Sequence, residues 1–187
     1  MIKLLFIGVP GCGKGTQAKL LEQNGFIQIS TGELIRKACE ENNSIIKPYQ
    51  KKIEEGNLLP DNILLQLIEK KISELPEQTR GIIFDGAVRT IEQAKYFISK
   101  NLIDLTLFFS LPIEQAEKRL LDRNEGREDD QPETIKKRFE VYREKTAPIL
   151  DYLKSNTKFQ ELDASGTVED IHLNVQKILN IFNLHSR

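Results

Sequence analysis

The segment Gly8-Val9-Pro10-Gly11-Cys12-Gly13-Lys14-Gly15-Thr16 gathers glycines, a lysine and a hydroxyl directly after an apolar run, Ile2 to Ile7. Glycines let the backbone wrap closely with its N–H groups turned inward, which makes a cradle for anionic oxygens. The helical pattern that follows brings the positive end of a helix to the same place. Lys14 can reach outer phosphates as a point charge, and Thr16 can offer a hydroxyl to Mg²⁺. The implied ligand is a nucleoside triphosphate. The alternative, a glycine-rich strand-to-helix turn with no ligand, leaves the lysine and threonine without a purpose. The pattern G-x-x-x-x-G-K-[ST] is met with one departure: Gly15 follows the lysine, and Thr16 stands one place later.

Arginines form the second constellation. Arg36 follows the second strand candidate and Arg89 the third, while Arg119, Arg123, Arg127, Arg138 and Arg143 gather in two late helical stretches and their joining loop. Arg119 and Arg123 are four apart and share a helical face. Guanidinium groups around a triphosphate suit phosphoryl transfer, which needs positioning and charge neutralisation more than covalent chemistry. A solvated basic face paired with glutamates is the competing reading. Asp85 ends an apolar strand candidate with a carboxylate, where Mg²⁺ or its water is the natural partner and a turn cap the alternative. His172 and His185 read as surface residues. Asp129 and Asp130 are adjacent, so they do not face each other and read as ion-pair partners.

These residues need a scaffold, and the pattern supplies one. Strands are expected at 3–7, 26–29, 81–85, 105–110 and 158–162. Helices are expected at 14–24, 32–41, a pair within 45–55 and 61–73, then 90–99, 113–124, 132–155 and 168–182. Alternation of this kind predicts an α/β fold, a five-stranded parallel sheet with helices on both faces. Runs such as Ile82-Ile83-Phe84 are apolar throughout, as strands covered on both sides are. Ligands in such sheets sit at the carboxyl ends of strands, where Gly8, Ser30, Asp85 and Ser110 fall. Pro60 and Pro112 precede helix starts, and Thr90 stands three residues before Gln93 in capping-box spacing. Pro148 lies inside the long 132–155 stretch and should bend it.

With 187 residues the chain makes one domain with a substantial core. A formal charge of -1 argues against a nucleic-acid partner. Cys12 and Cys39 are too few for a disulfide framework or a zinc site and read as reduced thiols. The opening apolar run is too short for a signal peptide or membrane span, so a soluble cytoplasmic protein without a membrane partner is expected.

Taken with their order and spacing, these motifs resemble the nucleoside monophosphate kinases, and among them the adenylate kinases, over nearly the whole chain. The variant Gly13-Lys14-Gly15-Thr16-Gln17 is the mark of that narrower group. Beside it stand Ser30-Thr31-Gly32-Glu33-Leu34-Ile35-Arg36, Gly56-Asn57-Leu58-Leu59-Pro60-Asp61 and Phe84-Asp85-Gly86-Ala87-Val88-Arg89-Thr90-Ile91-Glu92-Gln93-Ala94. The late region supplies Arg119 and Arg123, Gly126-Arg127-Glu128-Asp129-Asp130, Arg138 and Thr146-Ala147-Pro148. The resemblance implies the P-loop nucleoside triphosphate hydrolase-like fold and the reaction MgATP + AMP to two ADP. It implies a single domain over 1–187, with a monophosphate-binding subdomain at 31–60 and a short lid at 123–131. It assigns ATP to Gly11, Cys12, Gly13, Lys14, Gly15, Thr16, Arg119 and Gly166. It assigns the monophosphate to Thr31, Arg36, Gly56, Leu58, Gly86, Arg89, Gln93, Arg127 and Arg138. Thr31 and Gln93 would face the base, and Thr31 favours adenine over a pyrimidine. Lys14, Arg89, Arg123, Arg127 and Arg138 would act on the transferring phosphoryl group. Thr16 and Asp85 would hold Mg²⁺ through nucleotide and water, with Glu33 nearby. Partners are then ATP, AMP and ADP, and the enzyme is expected to be a monomer.

Two features depart from the usual family pattern. Only Asn124, Glu125 and Gly126 separate Arg123 from Arg127, so there is no room for an inserted lid domain or zinc-binding cysteines, and no zinc is expected. Where the family carries an aromatic residue and a proline before the arginine, Ala87-Val88 stand here. The family's aromatic–proline bond is typically cis, and a cis bond before valine costs about 3 kcal/mol. A trans bond and a rearranged loop that aims Arg89 less rigidly are expected. The alternatives are a UMP/CMP kinase on the same scaffold, or a nucleotide-binding module whose acceptor site this change has impaired. A P-loop kinase for a non-nucleotide acceptor would leave the Ser30–Arg36 motif and Gln93 unused.

Overall fold

A computed structural model describes residues 1–41, 43–55, 57–122 and 131–185. Five parallel strands, β1 (Ile2–Gly8), β2 (Phe26–Ser30), β3 (Gly81–Asp85), β4 (Leu105–Ser110) and β5 (Phe159–Asp163), form one sheet in the order β2-β3-β1-β4-β5. The chain starts in the middle, builds one side of the sheet with β2 and β3, then crosses to the other with β4 and β5. The change of direction lies at β1, the place where open α/β sheets leave a crevice. Register brings the carboxyl ends level: Phe6 and Ser30 both pair with Asp85, Gly8 pairs with Phe109, and Ser110 pairs with Asp163.

The helices are α1 (Lys14–Glu22), α2 (Thr31–Glu40), α3 (Gln50–Glu54), α4 (Asp61–Ser73), α5 (Ile91–Ser99), α6 (Ile113–Leu121), α7 (Pro132–Val141), α8 (Leu150–Asn156) and α9 (Val168–His185). Successive strand residues point to opposite faces, and the core divides accordingly. Leu4, Phe6, Ile83, Leu107 and Phe109 pack with Ala18, Leu21, Leu120, Phe139 and Val175 from α1, α6, α7 and α9. Leu5, Ile7, Ile82 and Phe84 pack with Ala38, Ile68, Phe97 and Leu153 from α2, α4, α5 and α8. Aromatic pairs tighten both layers: Phe6 and Phe109 have ring centroids 4.9 Å apart, and Phe84 meets Phe97 edge-on at 5.0 Å. Among the described residues no helix is long and apolar enough to cross a membrane.

The expected bend at Pro148 is a change of helix type. After α7 the backbone widens into a π-helical segment, Tyr142–Thr146, tightens into a 3-10 turn, Ala147–Ile149, and resumes as α8. Proline offers no N–H, and its ring crowds the carbonyl four residues back, so the regular ladder cannot run through. The irregular turns present Thr146 inward, where its Oγ1 donates to the Arg89 carbonyl at 3.3 Å.

Burial pushes the Tyr142 hydroxyl up to about 12. A tyrosine in an unfolded chain ionises near about 10. The folded value is the higher one, so this contribution to stability is complete below about pH 10 and is lost as pH rises through about 12. The melting temperature of the wild type is therefore expected to fall across that alkaline interval more steeply than that of Tyr142→Phe. Parallel thermal melts at stepped alkaline pH check this, and equal slopes would refute it.

Candidate active site

The loop between β1 and α1 closes through Cys12 N–H donating to the Val9 carbonyl at 3.2 Å. Gly13 caps α1 at φ 94°, a left-handed conformation that a side chain would strain, and no side chain bonds to the helix start. The first N–H groups of α1 are thus left to a ligand. Lys14 Nζ donates back into the loop, to the carbonyls of Gly8 at 2.9 Å and Val9 at 3.1 Å and to Cys12 Sγ at 3.3 Å. These are neutral partners, and a phosphate oxygen offers a stronger, charge-assisted one. Gly11 has no room for a side chain, since a Cβ there would lie 2.6 Å from the Ala116 carbonyl oxygen.

Asp85 reaches the same mouth from the end of β3. A Cβ on Gly15 would sit 3.6 Å from Asp85 Oδ2, so the carboxylate lies beside the loop, with Thr16 exposed on the next residue. A hydroxyl and a carboxylate are hard oxygen donors of the kind Mg²⁺ takes, so these residues fit that ion. Gln28 Nε2 donates to Asp85 Oδ2 at 3.0 Å, a partner the sequence reading did not find. The only hint was a polar residue inside the otherwise apolar run Phe26–Ile29.

The second cluster forms around Gly86. Its carbonyl accepts from Thr31 Oγ1 and from Arg89 Nε, both at 2.9 Å. Gly86 adopts φ 70°, and a Cβ there would come 2.8 Å from an Arg89 guanidinium nitrogen and 3.1 Å from Thr31 Oγ1. Thr31 starts α2, which Ser30 caps by accepting from the Glu33 N–H at 3.3 Å. Arg36, one turn on, lays its guanidinium over Gly32, 3.3 Å from where a Cβ would be. Leu58 is half-buried between α3 and α4. Gln93 is buried, its Oε1 accepting from the Arg89 N–H at 2.7 Å.

The Ala87–Val88 bond is trans, as expected, and among the described residues no peptide bond is cis. Both side chains are buried in the core beneath the site. Arg89 is nonetheless tied by its N–H to Gln93, by its Nε to Gly86 and by its carbonyl to Thr146.

Arg119 projects from α6 to the loop after β5. Its guanidinium donates to the carbonyls of Ala164 at 2.8 Å, Ser165 at 3.2 Å and Gly166 at 3.4 Å. Asp163 shapes that loop by accepting from the Ser165 N–H at 2.8 Å. Its carboxyl is held below the ordinary range first by the hydrogen bonds from Ser165, with the Arg119 charge adding. Two of the residues assigned to ATP, Arg119 and Gly166, are thus brought together. Arg138 lies half-buried on α7. Between α3 and α7 opens a cleft of about 570 Å³, lined by Lys51, Glu55, Asn57, Glu133 and Lys137 among others. Gly56, Arg123, Arg127, the Asp129–Asp130 pair and all but the last residue of the expected lid lie outside the described residues.

His172 departs from the surface expectation. It is half-buried, and its Nδ1 lies 3.0 Å from Gln17 Oε1, with Nε2 3.0 Å from Gln176 Nε2. Gln17 is fully buried at the start of α1 and also donates to the Val168 carbonyl at 2.9 Å. Its need for polar partners draws the histidine in.

Comparison with known proteins supplies an independent line. The sequence model of a family described as adenylate kinase matches residues 6–158. A protein of Porphyromonas gingivalis called adenylate kinase is 38% identical over 190 residues, covering 97% of this chain and 97% of that protein. Proteins of the same name in Mycobacteroides abscessus, 35% identical over 95% of this chain and 99% of their own, and in Prochlorococcus marinus, 38% identical over 96% and 97%, are similar along the same length.

Proposed function

The chain belongs to the adenylate kinase family, and from that membership we propose that it transfers the terminal phosphoryl group of MgATP reversibly to AMP, giving two ADP. The observation that carries the reading is the meeting of two anion-directed clusters at one sheet edge. The Lys14 loop follows β1, the Thr31–Gly86–Arg89 cluster follows β2 and β3, and Asp85 touches both. Its Oδ2 lies beside Gly15, and its carbonyl is 3.4 Å from Thr31 Oγ1.

In this reading the loop N–H groups and Lys14 bind and orient the ATP phosphates, and Arg119 with the Gly166 loop holds the adenine end. Arg36 and Arg89 hold the AMP phosphate, and Thr31 and Gln93 meet its base. An oxygen of that phosphate attacks the terminal phosphorus of ATP, and the bond to the bridging oxygen breaks, leaving ADP on both sides. The transition state is stabilised by fixed positive charge rather than by covalent chemistry. Arg123, Arg127 and Arg138 are assigned to that charge by family resemblance. When bound, Mg²⁺ would supply charge neutralisation at the phosphates, and Thr16 and Asp85 would hold it through nucleotide and water. Both sites come from one chain, so the reading includes a monomer, and the two free thiols suit a reducing cytosol.

The test is ADP formation by purified protein given MgATP and, separately, AMP, UMP, CMP or GMP. ADP appearing chiefly with AMP is expected. Preference for UMP or CMP would move the chain to the pyrimidine kinases. ATP binding with no dependence on any monophosphate would mean that Ala87-Val88 has disabled the acceptor site.

A further inference from the structure

We infer that Asp61 is a positioning residue that locks the Gln93 amide in one orientation, and that this lock sets the choice of adenine over guanine at the monophosphate site. The inference rests on the assignment of Gln93 to the base.

Asp61 is the first residue of α4, and both its carboxylate oxygens are engaged across the groove to α5. Oδ1 accepts from Gln93 Nε2 at 2.6 Å, and Oδ2 accepts from Thr90 Oγ1 at 3.0 Å. The Thr90 oxygen in turn accepts from the Gln93 backbone N–H at 3.2 Å, which caps α5. At its other end the Gln93 amide oxygen accepts from the Arg89 N–H at 2.7 Å. A carboxylate can only accept and a backbone N–H can only donate. A flipped amide would set oxygen against carboxylate and NH₂ against N–H. Both hydrogen bonds would be lost at a residue only 1% exposed, where water cannot replace them.

The locked amide retains one N–H and one oxygen lone pair. Their order is fixed, and that order is what reads a purine. Adenine offers an exocyclic amine donor beside a ring-nitrogen acceptor, the pair a glutamine amide matches with oxygen and NH₂ respectively. Guanine has the O6 acceptor where adenine has the amine. Against a fixed Gln93 oxygen, O6 meets another acceptor and rejection follows; against an amide free to rotate, guanine could be accommodated by a flip. Specificity here comes from forbidding the second orientation.

The experiment compares kcat/KM for AMP and GMP in wild type, Asp61→Ala, Asp61→Asn and Gln93→Leu, with KM for ATP and melting temperature measured alongside. Asp61→Ala is expected to lower the AMP:GMP ratio about tenfold, with KM for ATP unchanged. Asp61→Asn can turn its own amide to accept from or donate to Gln93, so it restores the tie between α4 and α5 but not the one-way constraint, and the ratio should stay nearer that of Asp61→Ala. A residue that merely ties α4 to α5 would, when lost, raise KM for AMP and GMP by the same factor and leave the ratio unmoved. That result in Asp61→Ala, with Gln93→Leu lowering the ratio, overturns the lock and leaves Gln93 at the base. A ratio unmoved in Gln93→Leu overturns the base assignment and the lock with it. Should Asp61→Ala not fold, Asp61→Ser, polar at the helix start but too short to span to Gln93, is read by the same criteria.

Discussion

Lys14→Ala is expected to lower kcat roughly 10³-fold while the protein remains folded. The ammonium sits inside the phosphate loop with its three hydrogen bonds directed at two main-chain carbonyls and the Cys12 sulfur. None of these partners is charged, so removing the side chain strands no buried counter-ion, and the cost in stability stays near about 1 kcal/mol. Catalysis loses far more. In phosphoryl transfer the enzyme contributes mainly fixed charge where negative charge shifts, and Lys14 is anchored on a loop whose other contributions are neutral N–H groups. Because that charge matters most in the transition state, kcat should fall more than ATP affinity does. Lys14→Arg should not restore the rate, since a planar fork does not occupy the space of a compact ammonium between the Gly8 and Val9 carbonyls. Single-turnover ADP formation, with ATP affinity and melting temperature as controls, checks this. A loss under about tenfold in a folded, ATP-binding variant would remove the loop from the donor site.

The scaffold was legible because its signals are local. The strand at Gly81–Asp85 and the helix at Asp61–Ser73 fall where continuous apolar runs and the preceding Pro60 put them. Thr90 caps α5 as its spacing to Gln93 predicts. Glycines with constrained geometry, such as Gly13 and Gly86, were visible because few other residues can stand there. The supporting polar contacts were not legible. Gln28 bonds to Asp85 across 57 positions, His172 to Gln17 across 155, and Asp61 to Gln93 across 32. Such partners are chosen by the packing of separate elements, for which one sequence carries no periodicity. Pro148 showed where the long helix must fail, yet the widened turn precedes it at Tyr142–Thr146, because the proline ring displaces the carbonyl behind it.

Arg89→Ala is expected to lower kcat/KM for AMP roughly 10²-fold or more, with KM for ATP changed little. The contacts to Gln93 and from Thr146 use its backbone and survive truncation. The loop should therefore keep its path in the variant, with Ala87 and Val88 still buried beneath it. What is lost is the guanidinium, which the Nε–Gly86 bond aims at the position where Thr31 and Gly86 meet. Arg89→Lys retains charge but not the fork, so it can neither bond to Gly86 in the same way nor grip a phosphate at two oxygens, and only partial recovery is expected. The pair of variants also weighs the departure at Ala87-Val88. If buried side chains and hydrogen bonds hold the arginine where a rigid aromatic–proline pair usually does, Arg89→Lys will recover only a small part of the rise in KM for AMP seen in Arg89→Ala. If the guanidinium is loosely aimed, charge alone will carry its effect and the two substitutions will separate mainly by electrostatics, with Arg89→Lys close to wild type. Initial rates over a matrix of AMP and ATP concentrations decide between them, and an unchanged KM for AMP in Arg89→Ala would remove this residue from the acceptor site.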